Sequence, residues 1–173
     1  MATVNFPVEV QNTTLLNHFE LHYEPAGHPP AGVYDKPHFD LHAYAIAPAA
    51  VAAIAGNDTA APVAARVPAG YTYPGVNQAV PQMGVHASPN SDFLPGFVFR
   101  ETMILGYWGG SLIFVEPMIT RDRLMTKSTL TLTIAEPTEL GRTTRYPTRF
   151  LATYDAGNDT YSFAFSNFVN KPG

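Results

Sequence analysis

The chain has 173 residues, 46% hydrophobic and only 14% charged, with a net charge of −4 and no cysteine. That length suits one domain with a real core, and a weakly charged surface without a basic cluster argues against nucleic acid or an anionic membrane as partner. Disulfides, thiolate metal sites and cysteine nucleophiles are excluded, so any metal must be held by His, Asp, Glu or backbone oxygen.

Strand signals dominate from the N-terminus. Val4–Val10 and Thr13–Tyr23 read as β segments rich in branched and aromatic residues. Gly27-His28-Pro29-Pro30-Ala31-Gly32 is a loop, because two prolines and two glycines forbid regular structure. Pro37–Ile46 is the next strand. Pro48–Ala55 is the helix candidate, with proline in the first turn, an alanine-rich body and Gly56 as a stop. Residues 57–95 carry prolines at 62, 68, 74, 81, 89 and 95, which exclude long elements. A loop this long, with Val67, Tyr71, Tyr73, Val76, Val80 and Met83 available for burial, is expected to cover one end of the fold.

Phe97–Trp108 and Ser111–Ile119 form a hairpin turning at Gly109-Gly110. Thr120–Met125 suits a helical turn, and the alternation of Ser128–Ala135 marks a half-exposed strand. Tyr146–Tyr154 and Tyr161–Phe168 make a last hairpin. The expected fold is therefore mostly β: an antiparallel β-barrel of seven or eight strands with one short helix and a long Pro-rich loop, residues 1–173 forming a single barrel-like domain. Closure is preferred because it removes exposed strand edges. No apolar run approaches the ~20 residues needed to span a bilayer. Met1-Ala2-Thr3-Val4 lacks the charged and apolar parts of a signal peptide. Low lysine content and Asn-x-Thr triplets at Asn12, Asn57 and Asn158 favour an exported protein, periplasmic or extracellular with its leader removed, over a cytoplasmic one.

The main functional signal is Pro37-His38-Phe39-Asp40-Leu41-His42. In a strand, His38, Asp40 and His42 share one face over roughly 13 Å, at about 3.3 Å per residue. Met83-Gly84-Val85-His86 supplies a further imidazole, and Glu116 lies in an otherwise apolar strand where a carboxylate is costly unless paired or metal-bound. His38, His42 and His86, completed by Glu116 or Asp40, suit zinc, or iron, manganese, nickel or copper in a more open geometry. His18-Phe19-Glu20-Leu21-His22 echoes this pattern twenty residues earlier, but one short match does not make a repeat, and His18 and His22 are read as surface or packing residues. For Glu116 alone the plain alternative is a salt bridge to Arg100 or Arg121. Tyr71, Tyr73, Tyr107 and Trp108 are read as barrel filling. No phosphate loop, nucleophile elbow or dinucleotide fingerprint is present.

Gly27-His28-Pro29-Pro30, Gly32-Val33-Tyr34-Asp35, Pro37–His42, Met83–His86 and Phe114-Val115-Glu116-Pro117-Met118-Ile119-Thr120 together resemble an uncharacterised bacterial domain family. Its type member is a hypothetical thermophile protein under the control of an extracytoplasmic sigma factor and its anti-sigma factor. The likeness covers residues 13 to about 168 in order. It implies a β-rich, barrel-like domain that forms ring oligomers, hence a homo-oligomer, and it implies no established reaction. The motifs that carry it include His28; independently of the likeness, His28, Asp40 and Glu116 are read as candidates for catalytic proton transfer. The chain departs from the family where Ala87-Ser88 follow His86 in place of an aromatic and an acid, which sets a shared substrate aside.

The function expected is metal-assisted hydrolysis or isomerisation of a small molecule at the barrel mouth. Its rivals are a metal-free acid–base enzyme and a non-catalytic, ring-forming ligand-binding or envelope-stress protein.

Overall fold

The computed structural model describes residues 2–173. It is mostly β, 43% strand and 15% helix, and its main sheet curls into an antiparallel half-barrel. The strands are β1 (Ala2–Asn5), β2 (His18–Glu24), β3 (His38–Tyr44), β4 (Tyr71–Thr72), β5 (Ala79–Val80), β6 (Gly84–Pro89), β7 (Glu101–Trp108), β8 (Ser111–Thr120), β9 (Leu130–Thr133), β10 (Thr144–Asp155) and β11 (Thr160–Lys171). The half-barrel runs β1-β2-β3-β8-β7-β6-β4, with β5 also pairing β6, and a second sheet runs β11-β10-β9. Three short α-helices replace the single one expected: α1 (Val8–Thr13), α2 (Pro48–Ala52) and α3 (Arg121–Met125).

Helix α1 takes residues expected to extend a strand. Pro7 ends β1's ladder because it has no N–H, and Gln11 donates back from its side chain to the Phe6 carbonyl. Within the irregular stretch 57–95, β6 was not foreseen. It pairs with β7 through Val85↔Tyr107, His86↔Gly106 and Ala87↔Leu105, so His86 stands on a strand rather than a loop. Gly84 enters that strand at φ +107, a conformation that favours glycine.

Alternation divides β3, β7 and β8 between two buried faces. Leu41, Ala43, Met103, Leu105, Val115 and Ile119 pack against the second sheet, meeting Tyr146, Phe150 and Ala152 of β10. The other face carries Tyr44, Ile104, Phe114 and Met118, packed with Tyr34, Phe99 and the α2 residue Val51. Burial on both faces makes β3 a rigid support for the polar side chains that alternate along it. Phe150 is fully buried and stacks on Phe163 at 5.8 Å between ring centroids. Phe150→Ala is expected to cost about 3–5 kcal/mol, read as a lower denaturant midpoint.

The aromatic hydroxyls serve this packing. Tyr71 donates to the Met103 carbonyl, Tyr107 to that of Arg66 and Tyr146 to that of Ala135, each at 2.8 Å. Among the described residues, no helix is long and apolar enough to cross a membrane.

Candidate functional site

Strand pairing builds the site. β2 and β3 pair so that His22 faces Asp40, Glu20 faces His42 and His18 faces Tyr44. β3 and β8 pair through Asp40↔Met118 and Ala43↔Val115, the register that brings Glu116 beside His42. β8 then pairs with β7 through Glu116↔Ile104 and Gly106↔Phe114. Gly106 therefore lies between His86 on one side and Phe114 on the other. A Cβ at Gly106 would meet three Phe114 ring carbons at 1.9–2.2 Å, so the missing side chain is what admits the Phe114 ring. That ring packs against His42 at 4.9 Å and His86 at 5.1 Å between centroids, setting both imidazoles.

The chain has six histidines, and each one contacts a carboxylate. His42 Nε2 lies 3.3 Å from Glu116 Oε1, and His86 Nε2 lies 3.7 Å from Oε2. His38 Nε2 lies 2.9 Å from Asp40 Oδ1, and His28 Nε2 lies 3.7 Å from Oδ2. His18 and His22 flank Glu20 at 3.5 and 3.3 Å. Among the described residues, His28–His38–Asp40 and His42–His86–Glu116 draw their ligand atoms within 4.8 Å of one another, and either group can hold a metal ion. Zinc bound at about 2.0–2.2 Å places its donors roughly 3.3–3.5 Å apart at tetrahedral angles, so the separations above are close to those a single ion requires.

This arrangement divides the expected metal set. His42, His86 and Glu116 come together, while His38 joins Asp40 and His28 instead. The cause is strand geometry. His38 and His42 sit about 13 Å apart along β3, at about 3.3 Å per residue, beyond what one ion spans. His18, fully buried and stacked on Tyr44 at 4.9 Å, packs as expected, and His22, half-buried, lies 5.2 Å from the His42 ring; both share the polar face that carries Glu20. The twenty-residue echo was the signal for them: the two similar segments are antiparallel neighbours displaced by two residues, so Glu20 faces His42 and His22 faces Asp40.

Asp58 accepts from the backbone amides of Thr59, Ala60 and Gly109, and Asp92 accepts from the hydroxyls of Tyr34 and Thr102. Glu116 is 1% exposed, has no Lys or Arg partner and faces only imidazoles. Glu116 Oε2 and both ring nitrogens of His42 lack a hydrogen-bond partner. Arg121 and Arg100, the cations considered for Glu116, do not pair with it; the Arg–Glu contact nearby is Arg123 with Glu101 at 3.2 Å.

Burial, with the neighbouring Asp40 charge, raises the Glu116 carboxyl well above its ordinary range. Burial lowers both imidazoles beside it, aided by nearby histidines. His42 falls well below 6.5, and His86 to about 4. Asp40 behaves oppositely. Burial alone would raise it, but the close approach of His28 and His38, with the charges of His38 and His42, holds it well below the usual carboxylate range. Burial likewise opposes His28's charge, yet Asp40 and the Pro29 carbonyl keep that imidazole above 6.5.

Both groups reach one cavity of about 580 Å³. His28, Asp40, His42, His86 and Glu116 stand on its wall, and Tyr34, Val80, Met83, Ile104 and Met118 supply apolar surface. No Lys or Arg lines it. The volume is that of a small-molecule site. No protein-family model, curated protein or solved structure matches this chain.

Proposed function

We propose that the protein binds a divalent transition metal, zinc foremost, through His42, His86 and Glu116, and uses it in hydrolysis or isomerisation of a small molecule held in the cavity. The observation that carries this is Glu116: a fully buried carboxylate without a cationic side chain, met by two imidazoles that burial keeps neutral. An ionised carboxylate in such a place needs a cation, and neutral imidazole nitrogens are ligands for one. Two imidazoles and one carboxylate leave coordination positions open, and His86, 23% exposed, stands on the cavity side. A metal with an open position supplies a bound water of pKa about 7 and polarises a substrate oxygen. The chain's own part is to fix the ligands on three packed strands, to exclude bulk water with the apolar wall, and to hold the substrate beside Glu116.

The test is metal analysis of protein purified without an affinity tag. At least about one equivalent of transition metal is expected; less than about a tenth of an equivalent, with no binding of added Zn²⁺ or Co²⁺, would overturn the reading.

Ligand protonation adds a second expectation. His42 and His86 are already neutral near neutral pH, so the proton displaced by zinc at this group comes from Glu116. Affinity should therefore rise with pH through one carboxyl titration raised well above 4.5. Calorimetric titration in two buffers of different ionisation enthalpy should count at most one proton released per ion bound at this group. Release of more than one proton per ion near neutral pH would contradict this assignment.

A further inference from the structure

The Asp40 group differs from the Glu116 group in how its imidazoles are held. His38 Nδ1 lies 2.7 Å from the Lys36 carbonyl oxygen, and His28 Nδ1 lies 2.7 Å from that of Pro29. A carbonyl only accepts, so each Nδ1 must carry a proton and donate. In the neutral rings both Nε2 atoms then present bare lone pairs, and both point at Asp40, 2.9 and 3.7 Å away. Acceptors face acceptors. His38 Nε2 and Asp40 Oδ1 are buried and have no hydrogen-bond partner, although His38 is fully buried and Asp40 nearly so. A proton on one ring relieves one contact, whereas a cation between the three atoms relieves both at once. An imidazole whose other nitrogen donates to a backbone carbonyl is the usual arrangement of a metal-ligating histidine, fixed in tautomer and orientation.

The positioning is built from elements far apart in sequence. His38 and Asp40 share a face of β3, while His28 arrives on the loop joining β2 to β3. Tyr34, anchored by its hydroxyl on Asp92 at 2.8 Å, packs edge-on against His28 at 5.9 Å between rings, and Phe99 packs against His38 at 5.1 Å. Both imidazoles are thus oriented before any ligand arrives.

We propose that His28, His38 and Asp40 bind a second divalent transition-metal ion, so that the cavity holds two separately ligated metals. This rests on the reading that His42, His86 and Glu116 hold the first. The two groups share no ligand, and Asp40 and His42 are two residues apart on β3, about 7 Å at about 3.3 Å per residue. Both open on the same cavity, whose lining supplies no Lys or Arg. Two ions would supply fixed dications to a cavity without Lys or Arg and let one substrate be gripped at two points.

Stoichiometry decides it. The folded, metal-stripped full-length protein is titrated with Co²⁺ and with Zn²⁺, using calorimetry and the visible absorption of bound Co²⁺. Two equivalents are expected, falling to one in Asp40→Ala, to one in Glu116→Gln and to none in the double variant. His28→Ala, on a half-exposed loop position, guards against misfolding of the strand variants; it should weaken the second equivalent at least ~100-fold and leave the first. One equivalent in the native protein, unchanged by Asp40→Ala and His28→Ala, would overturn the second site while the first stands. One equivalent lost with Asp40→Ala but kept in Glu116→Gln would overturn the first reading, and the paired centre with it. No bound equivalent at all would overturn both.

Discussion

Glu116→Gln is expected to weaken Zn²⁺ binding at the His42–His86 group by at least ~100-fold without destabilising the metal-free protein. Outer-shell partners of metal ligands already contribute about 10–100-fold, and this substitution removes a ligand's charge outright. Glutamine keeps the shape and one acceptor oxygen but cannot balance a dication. The stability half follows from burial. Glu116 is fully enclosed, its carboxyl is raised well above the ordinary range, and neighbouring His42 is held neutral. No charge is therefore stranded when the carboxylate becomes an amide, and the desolvation cost of an ionised group disappears. The unfolding midpoint of the metal-free variant should equal or exceed that of the parent. A loss of about 3–5 kcal/mol, with zinc binding intact, would instead mark Glu116 and His42 as a structural ion pair.

The second large effect belongs to a residue with no side chain. Gly106→Ala would set a methyl group 1.9–2.2 Å from the Phe114 ring, which is itself fully buried and confined by His42, Tyr44 and His86. Overpacking of this kind costs typically about 1–3 kcal/mol, and at these distances the upper end is expected. For a chain of this length that is a fall of roughly 5–10 °C in Tm. Displacing the ring also moves the two imidazoles it sets, so Co²⁺ affinity should fall with stability. Phe114→Leu in the Gly106→Ala background removes the clash and should return part of the stability, a coupling that a double-mutant cycle measures. Independent, additive effects would show that the glycine serves only the β7 bulge between Gly106 and Tyr107.

Much of the site could be read from β3 alone. Alternation put His38, Asp40 and His42 on one face, as the structure has them. Register was not readable. Periodicity says which residues share a face, but not which strand lies opposite, so Asp40's partner His28 and the meeting of His42 with Glu116 emerge only once β2, β3 and β8 are paired. The 13 Å spacing already held the reason that one ion does not join both ends. His18 and His22 were read as surface or packing residues because one short match carries little statistical weight; in the fold that segment pairs with its near-copy. β6 escaped because six residues that follow Pro81 and end on Pro89 look like loop, and its strand character comes from pairing with β7. The mostly β fold was legible from hairpin signals, whereas α1 was hidden in a branched, strand-like sequence and is set by the stop at Pro7.

The central claim is that buried imidazoles and carboxylates here are metal ligands rather than hydrogen-bonded core residues. A crystal structure of untagged protein, with diffraction collected on both sides of the zinc absorption edge, tests it most directly. The expected result is an anomalous peak about 2.0–2.2 Å from His42 Nε2, His86 Nε2 and a Glu116 oxygen. Density that shows no such peak after zinc soaking, with Glu116 still 3.3 Å from His42 Nε2, would contradict it.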